Sequence, residues 1–127
     1  KMSKIIEEAL LKIVPFCDIL YINLSKTFLD NYEIINKVCV ENQVLTIGDD
    51  IYLGKGLVVG LSSDFFKRGE ILAEYTQKIL EEGVHPKDLP MGLPPEFTLK
   101  YDLNSAKKIK SFNPSAKFLL TVLGIYN

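Results

Sequence analysis

Two cysteines, one histidine and a net charge of −1 across 127 residues leave few kinds of chemistry open. Cys17 and Cys39 have neither the number nor the spacing of a zinc site or a disulfide framework, and each falls in an apolar segment, so both are expected as buried thiols. His85 stands between Val84 and Pro86 in a proline-rich stretch and is expected as an exposed loop residue. No Cys-His, Ser-His-Asp or paired-carboxylate constellation can be assembled from what remains, which argues against an enzyme. Fifteen Lys and Arg against sixteen Asp and Glu generate no overall field for nucleic acid or anionic lipid. The cluster Lys107-Lys108-Ile109-Lys110 reads as a solvated helix face. Nowhere do about 18 apolar residues run together, as a membrane span would need. The first residues carry no basic stretch followed by an apolar core and a small-residue cleavage site, so no export signal is expected within the chain. Internal repeats and low-complexity segments are also lacking.

What is present is the material of one ordinary core, with 47% hydrophobic and 24% charged residues. KIIEEALLKI, residues 4–13, places Ile5, Ile6, Ala9, Leu10 and Ile13 on one helical stripe, with Ser3 as cap and Pro15 as stop. The apolar centre Ile19–Ile22 suits a strand covered on both faces. TFLDNYEIINKVCV reads as one helix opened by a Thr27–Asp30 capping box. Val44–Ile47 and LVVGL at 57–61 read as further strands. A long helix capped by Ser63 or Asp64 follows to Glu82, with the stripe Phe65, Phe66, Gly69, Leu72, Ala73, Thr76, Ile79 and Leu80, and Gly83 beyond its end. VHPKDLPMGLPPE, 84–96, is an extended connector. FTLKYDL alternates as an edge strand with Thr98, Lys100 and Asp102 on the wet face. Asn104 is expected to cap a short helix to about Phe112, and Asn113-Pro114 to open a last one that Gly124 ends. Strands alternating with helices make this an α/β protein, helices flanking a mainly parallel sheet in three layers.

In such sheets ligands bind where loops leave the carboxyl ends of the strands. Asn23–Thr27 and Gly48–Gly56 are the two loops that qualify. The pair Asp49-Asp50 admits a magnesium reading of the phosphotransfer type, but Asp18 precedes its strand and the receiver-like set is not assembled. The sequence GKG at 54–56 matches neither GxxxxGK[ST] nor GxGxxG. Tyr52, in a loop, could stack on an aromatic ligand, whereas Phe65 and Phe66 fall on the helical stripe and are expected in the core.

CDILYINLSKT, VLTIGDD, IYLGKGLVVGLSSDFFKRGE, QKILEEGVHPKDLP, FTLKYDLNSAKK and NPSAKFLL follow one another in an order that resembles the substrate-binding proteins of ABC transporters, of the kind that includes tryptophan and tyrosine receptors. Those are periplasmic binding proteins of type I, two lobes closing on a ligand. The resemblance covers nearly the whole chain and implies that it corresponds to the C-terminal half of such a receptor. It further implies residues 1–50 in the second lobe, a hinge crossing at 51–56, residues 57–83 in the first lobe, and a return to the second lobe over 97–127. The implied function is binding of a small metabolite, an amino acid or related carboxylate, without chemistry and without a cofactor, outside the cytoplasm, for delivery to a membrane permease. A ligand-sensing domain of a signalling protein is the alternative that uses the same fold. The implied ligand-binding residues are Ser25, Lys26, Thr27, Asp49, Asp50, Tyr52 and Asp64. Ser25-Lys26-Thr27 stands where the family commonly has Asp-Asn-Thr, replacing an acidic group with a cation suited to a carboxylate or phosphate. Half a cleft also implies apolar faces that a homodimer of this chain could cover.

Overall fold

In the computed structural model, residues 1–92, 97–121 and 124–126 are described, with side chains as far as residue 119. Helix α1, Met2–Ile13, buries Ile6 and Leu10 and ends where Pro15 enters a 3-10 turn at Val14–Phe16. Ser3 is not its cap: its Oγ donates to Asn31 Oδ1 at 2.7 Å. Strand β1 is Ile19–Ile22. The helix expected over 27–40 is two helices, α2 (Lys26–Asp30) and α3 (Tyr32–Glu41). Asn31 breaks it with a non-helical backbone while its Nδ2 donates to Thr27 O at 2.8 Å. Ser25 rather than Thr27 caps α2, its Oγ accepting from Phe28 N at 3.1 Å.

Strands β2 (Leu45–Asp49) and β3 (Val59–Ser63) follow, then α4 (Phe65–Leu80), β4 (Phe97–Asp102), α5 (Leu103–Ala106), α6 (Ala116–Thr121) and β5 (Gly124–Tyr126). Gly124 thus opens a strand rather than ending a helix. One sheet has the order β1-β2-β3-β4-β5, and the pairs β1/β2, β2/β3 and β4/β5 are parallel. β4 is therefore interior, not the edge that its alternation suggested, because β5 pairs on its far side. Asp102, expected on a wet face, is only 4% exposed.

Alternation along the strands sends side chains to two cores. On one face Ile22 packs with Ile6, Leu10 and Val14 around α1, with Ile35, Val38 and Cys39 of α3, and with Tyr52 and Leu57. Burial holds the Cys39 thiol up at about 11, which keeps it protonated and inert. On the other face Val59, Tyr101, Ala106 and Ile109 are backed by Leu45, Ile47, Phe112 and Phe118, three of which (Tyr101, Phe112, Phe118) form a ring cluster with centroids 6.0–6.1 Å apart. β1 is covered on one face only: Ile19 and Tyr21 are 56% and 65% exposed. The expected double coverage fails because the second helical layer stops at β2, where Leu45 and Ile47 lie beside Ile19 and Tyr21 in register.

The chain divides into two compact units, Lys1–Ser62 with Leu99–Asn127, and Ser63–Thr98. Ile51–Gly56 lies inside the larger unit, and the passages to the smaller one fall after Ser62 and after Thr98. Asp50–Tyr52 forms a 3-10 turn, and the chain then doubles back to β3 through Gly54 and Gly56, both at positive φ. At Gly56 (φ 123°) a Cβ would also overlap the Asn36 side chain. In the smaller unit α4 is capped by Asp64 and closed at Gly83, where Val84 N donates to Lys78 O at 3.0 Å. Tyr75 hydroxyl donates to Pro90 O at 2.7 Å and fastens the connector to the helix. No α4 residue is buried, so Phe65 and Phe66 are exposed rather than core. A lone helix has no second apolar layer to bury them against. Within the connector, Pro86–Asp88 is a 3-10 turn with His85 Nδ1 accepting from Lys87 N, and 93–96 lie outside the described residues.

These burials predict a contrast. Leu57→Ala, at a fully buried position, should cost about 2–5 kcal/mol, and Phe66→Ala, on bare α4, no more than about 0.5 kcal/mol, both read from urea midpoints at constant slope.

Candidate functional site

The carboxyl ends of β1 and β2 release the two loops in which six of the seven candidate residues lie. Between Asn23 and the start of α2 the chain turns sharply, and Ser25 spends its hydroxyl on the Phe28 amide. Lys26 and Thr27 point outward on the first turn, both exposed. Lys26 Nζ lies 2.9 Å from Asp30 Oδ2, one helical turn on, with 88% of its side chain exposed.

After β2, Asp49 accepts from Ile51 N at 3.1 Å and so shapes the 3-10 turn. Asp50 is paired with Lys100 of β4, Nζ to Oδ2 at 2.6 Å, with both side chains mostly covered. Partial burial raises the Asp50 pKa, but hydrogen bonds from Lys100 and Ser62 and the Lys100 charge outweigh it, holding the carboxyl below its usual value. Gly48 and Gly60 make this end of the sheet tight: a Cβ on Gly48 would strike the Ile22 carbonyl, and one on Gly60 would come within 2.7 Å of Leu53 and 3.1 Å of the Asp50 Cα.

Tyr52 is wholly buried. Its ring stacks on Tyr32 at 4.7 Å and 20°, and its hydroxyl donates to Asn23 O at 3.1 Å while accepting from Ser25 N at 3.4 Å. It therefore supports the first loop from behind and offers no ring face to a ligand. Asp64 belongs to the smaller unit, where its carboxylate caps α4 by accepting from Phe66 N and Lys67 N at 3.0 and 3.1 Å. The structure thus gathers the Ser25 and Asp49–Tyr52 loops on one support.

Three residues that sequence reasoning did not single out complete the platform. Lys100 and Ser62 hold Asp50. Asp102, buried, accepts from Asn104 N, Ser105 N and Ser105 Oγ at 2.9–3.0 Å and from Gly54 N at 3.3 Å, fixing the glycine loop to the start of α5. The alternation of FTLKYDL had already put Lys100 and Asp102 on one face; the partner loop was the missing information. Among the described residues no three His, Cys, Asp or Glu gather as a metal-binding group, and both aspartates of the acidic pair are engaged, one by an amide and one by a lysine.

No protein-family model and no curated protein sequence matches the chain. Its backbone is nevertheless shared with solved structures. A conserved domain protein from Vibrio cholerae O1 biovar El Tor matches 97% of the chain at TM-score 0.74 and 19% identity. A substrate-binding protein with adhesive properties from Clostridium difficile, in its ligand-free, open form, matches 98% at TM-score 0.68 and 17% identity. An ABC domain from Streptococcus pneumoniae, in complex with L-Trp, matches 97% at TM-score 0.72 and 10% identity. In each case the chain spans 41% of the solved structure. Over that part the chain shares the α/β fold of these solved structures.

Two consequences can be measured. Asp50→Asn should lower stability by about 1 kcal/mol at neutral pH. Because the folded Asp50 pKa lies below its unfolded value, the wild-type advantage is full above about pH 4 and is lost as pH falls through the folded pKa, so the two proteins should converge in acid-titrated urea midpoints. Tyr52→Phe should cost about 0.5–1.5 kcal/mol and speed amide exchange at Ser25, whose N–H loses its acceptor.

Proposed function

We propose that this chain is the larger part of one lobe, with a portion of the second, of a solute-binding protein that serves an ABC transporter. The observation that carries this reading is the shared backbone over 97–98% of the chain with proteins described as substrate-binding or bound to L-Trp. The local geometry supports it. Two loops at strand ends are braced from beneath by Tyr52 and present charged and polar groups outward, with no nucleophile and base placed together.

The ligand in this reading is an amino acid or related carboxylate. Lys26 is the cation of the loop after β1: its exposed contact with Asp30 is worth little, so exchanging it for a ligand carboxylate costs little. Thr27 offers a hydroxyl beside it, and Asp49 and Asp50 stand in the loop after β2; Asp64, at the start of α4, is taken as a separate candidate for the ligand. Ser25 and Tyr52 act by holding the loop in place. Binding favours a closed arrangement of two lobes, and the permease recognises that state. The protein works outside the cytoplasmic membrane; among the described residues no helix is long and apolar enough to cross it.

The test uses the polypeptide encoded by the whole reading frame. Calorimetric titration with L-tryptophan, L-tyrosine, L-phenylalanine and the amine tryptamine should give saturable binding of at least one amino acid, with tryptamine and the Lys26→Ala variant each about tenfold weaker, ~1.4 kcal/mol. Absence of saturable binding across an extended set of amino and carboxylic acids would sink the reading.

A further inference from the structure

The ladder between β2 and β3 ends one step before the larger unit does. Its last pair is Asp49 with Leu61, and the next residue of β3, Ser62, is also the last of the larger unit on the way out; Lys100, on β4, is the second after the chain returns. Where backbone pairing with β2 stops, a side chain continues it. Asp50 accepts from Lys100 Nζ at 2.6 Å and from the Ser62 hydroxyl. Gly60 makes room for this: a Cβ there would come within 3.1 Å of the Asp50 Cα, so the bare backbone lets the carboxylate lie close over β3. The other ion pairs among the described residues, Lys4–Glu8, Lys26–Asp30 and Lys78–Glu74, each stay within one helix, whereas this one joins positions 50 residues apart.

We propose that Asp50 is the clasp of a hinge: its carboxylate holds together the two strands by which the chain leaves the larger unit and re-enters it, and breaking the contact with Lys100 lets Ser62–Asp64 and Phe97–Leu99 flex. Asp50, Ser62 and Lys100 all belong to the larger unit, so the clasp acts at the roots from which the smaller one extends. Its chemistry suits a contact that opens. An apolar contact is lost in proportion to the area it exposes. An ion pair with 32% and 23% of its side chains already exposed opens into water that solvates both charges, so its net strength is small while its closed geometry is specific. The strand beyond the clasp is also not fully satisfied as it stands. Ser63 Oγ is buried without a hydrogen-bond partner among the described residues, which favours any movement of β3 that bonds it.

A purely structural brace is the rival reading. A brace adds stability to the larger unit as a whole, and its loss lowers an unfolding midpoint without changing the motion of the folded state. A clasp governs the folded state itself, and only the two crossing segments depend on it.

Backbone nitrogen-15 relaxation of the folded protein separates the two, with Asp50→Asn, Lys100→Met, the double variant and Lys100→Arg compared with wild type. In wild type the amides of Ser62–Asp64 and Phe97–Leu99 should be as ordered as the rest of the sheet, with order parameters of about 0.85, and each single loss should bring them to about 0.6. The double variant should go no further, because both substitutions break one contact, and Lys100→Arg, which keeps the charge, should retain wild-type order. Helices α1 and α3 should keep their order throughout. Unchanged order at the crossing segments in either single variant overturns the proposal, and so do segments already loose in wild type. Loosening that adds in the double variant, or that spreads to α1 and α3, overturns it as well. The result does not depend on the solute-binding reading, because no ligand enters the measurement.

Discussion

The buried phenol of Tyr52 is the contact on which the candidate site depends. One side chain, leaving the 3-10 turn after β2, reaches beneath the loop after β1, stacks on Tyr32 of α3 and meets both Asn23 and Ser25 through its hydroxyl. Loops at strand ends are ordinarily the softest parts of an α/β fold. Here two of them are joined through a residue with no exposed surface, so that their outward groups are held at a set spacing without direct contact between those groups. Preorganisation of this kind reduces the ordering cost of receiving a ligand.

A second tier of contacts secures the same end of the sheet from the β4 side. Lys100 and Ser62 grip Asp50, and Asp102 draws the Gly54 amide to the start of α5. Ser62 is the last residue before the chain leaves the larger unit and Lys100 the second after it returns, so a single carboxylate, Asp50, is tied to both crossing segments. The acidic pair that invites a metal reading from sequence is thus used structurally. Asp49 shapes a turn, and Asp50 anchors the two places where the backbone passes between units.

Elsewhere the chain is incompletely covered, and the pattern of exposure is informative. The core under α1 and α3 and Tyr101 of the aromatic cluster are buried, whereas the outer face of β1 and the stripe of α4 are exposed. Both bare surfaces have the periodicity of buried ones, period two on the strand and helical on α4.

Much of this was legible in the residues themselves. The order of helices and strands, the parallel sheet, the Gly83 stop of α4 and the Asp64 cap follow from apolar periodicity and end signals, which act over a few residues and are therefore local. Local rules also explain the misreadings: Asn31 has no propensity strong enough to announce a helix break, and Thr27 satisfies the same capping pattern that Ser25 fills. What only tertiary structure decided was which face of each element finds a partner. Tyr52 looks like an exposed loop aromatic until Tyr32 and Asn23 are brought to it, and Lys100 looks solvated until Asp50 arrives 50 residues away in sequence. The physical reason is the same in each case: periodicity specifies which residues are fit to be buried or paired, but the burial itself and the charge pairing are properties of surfaces that meet only when the sheet is assembled.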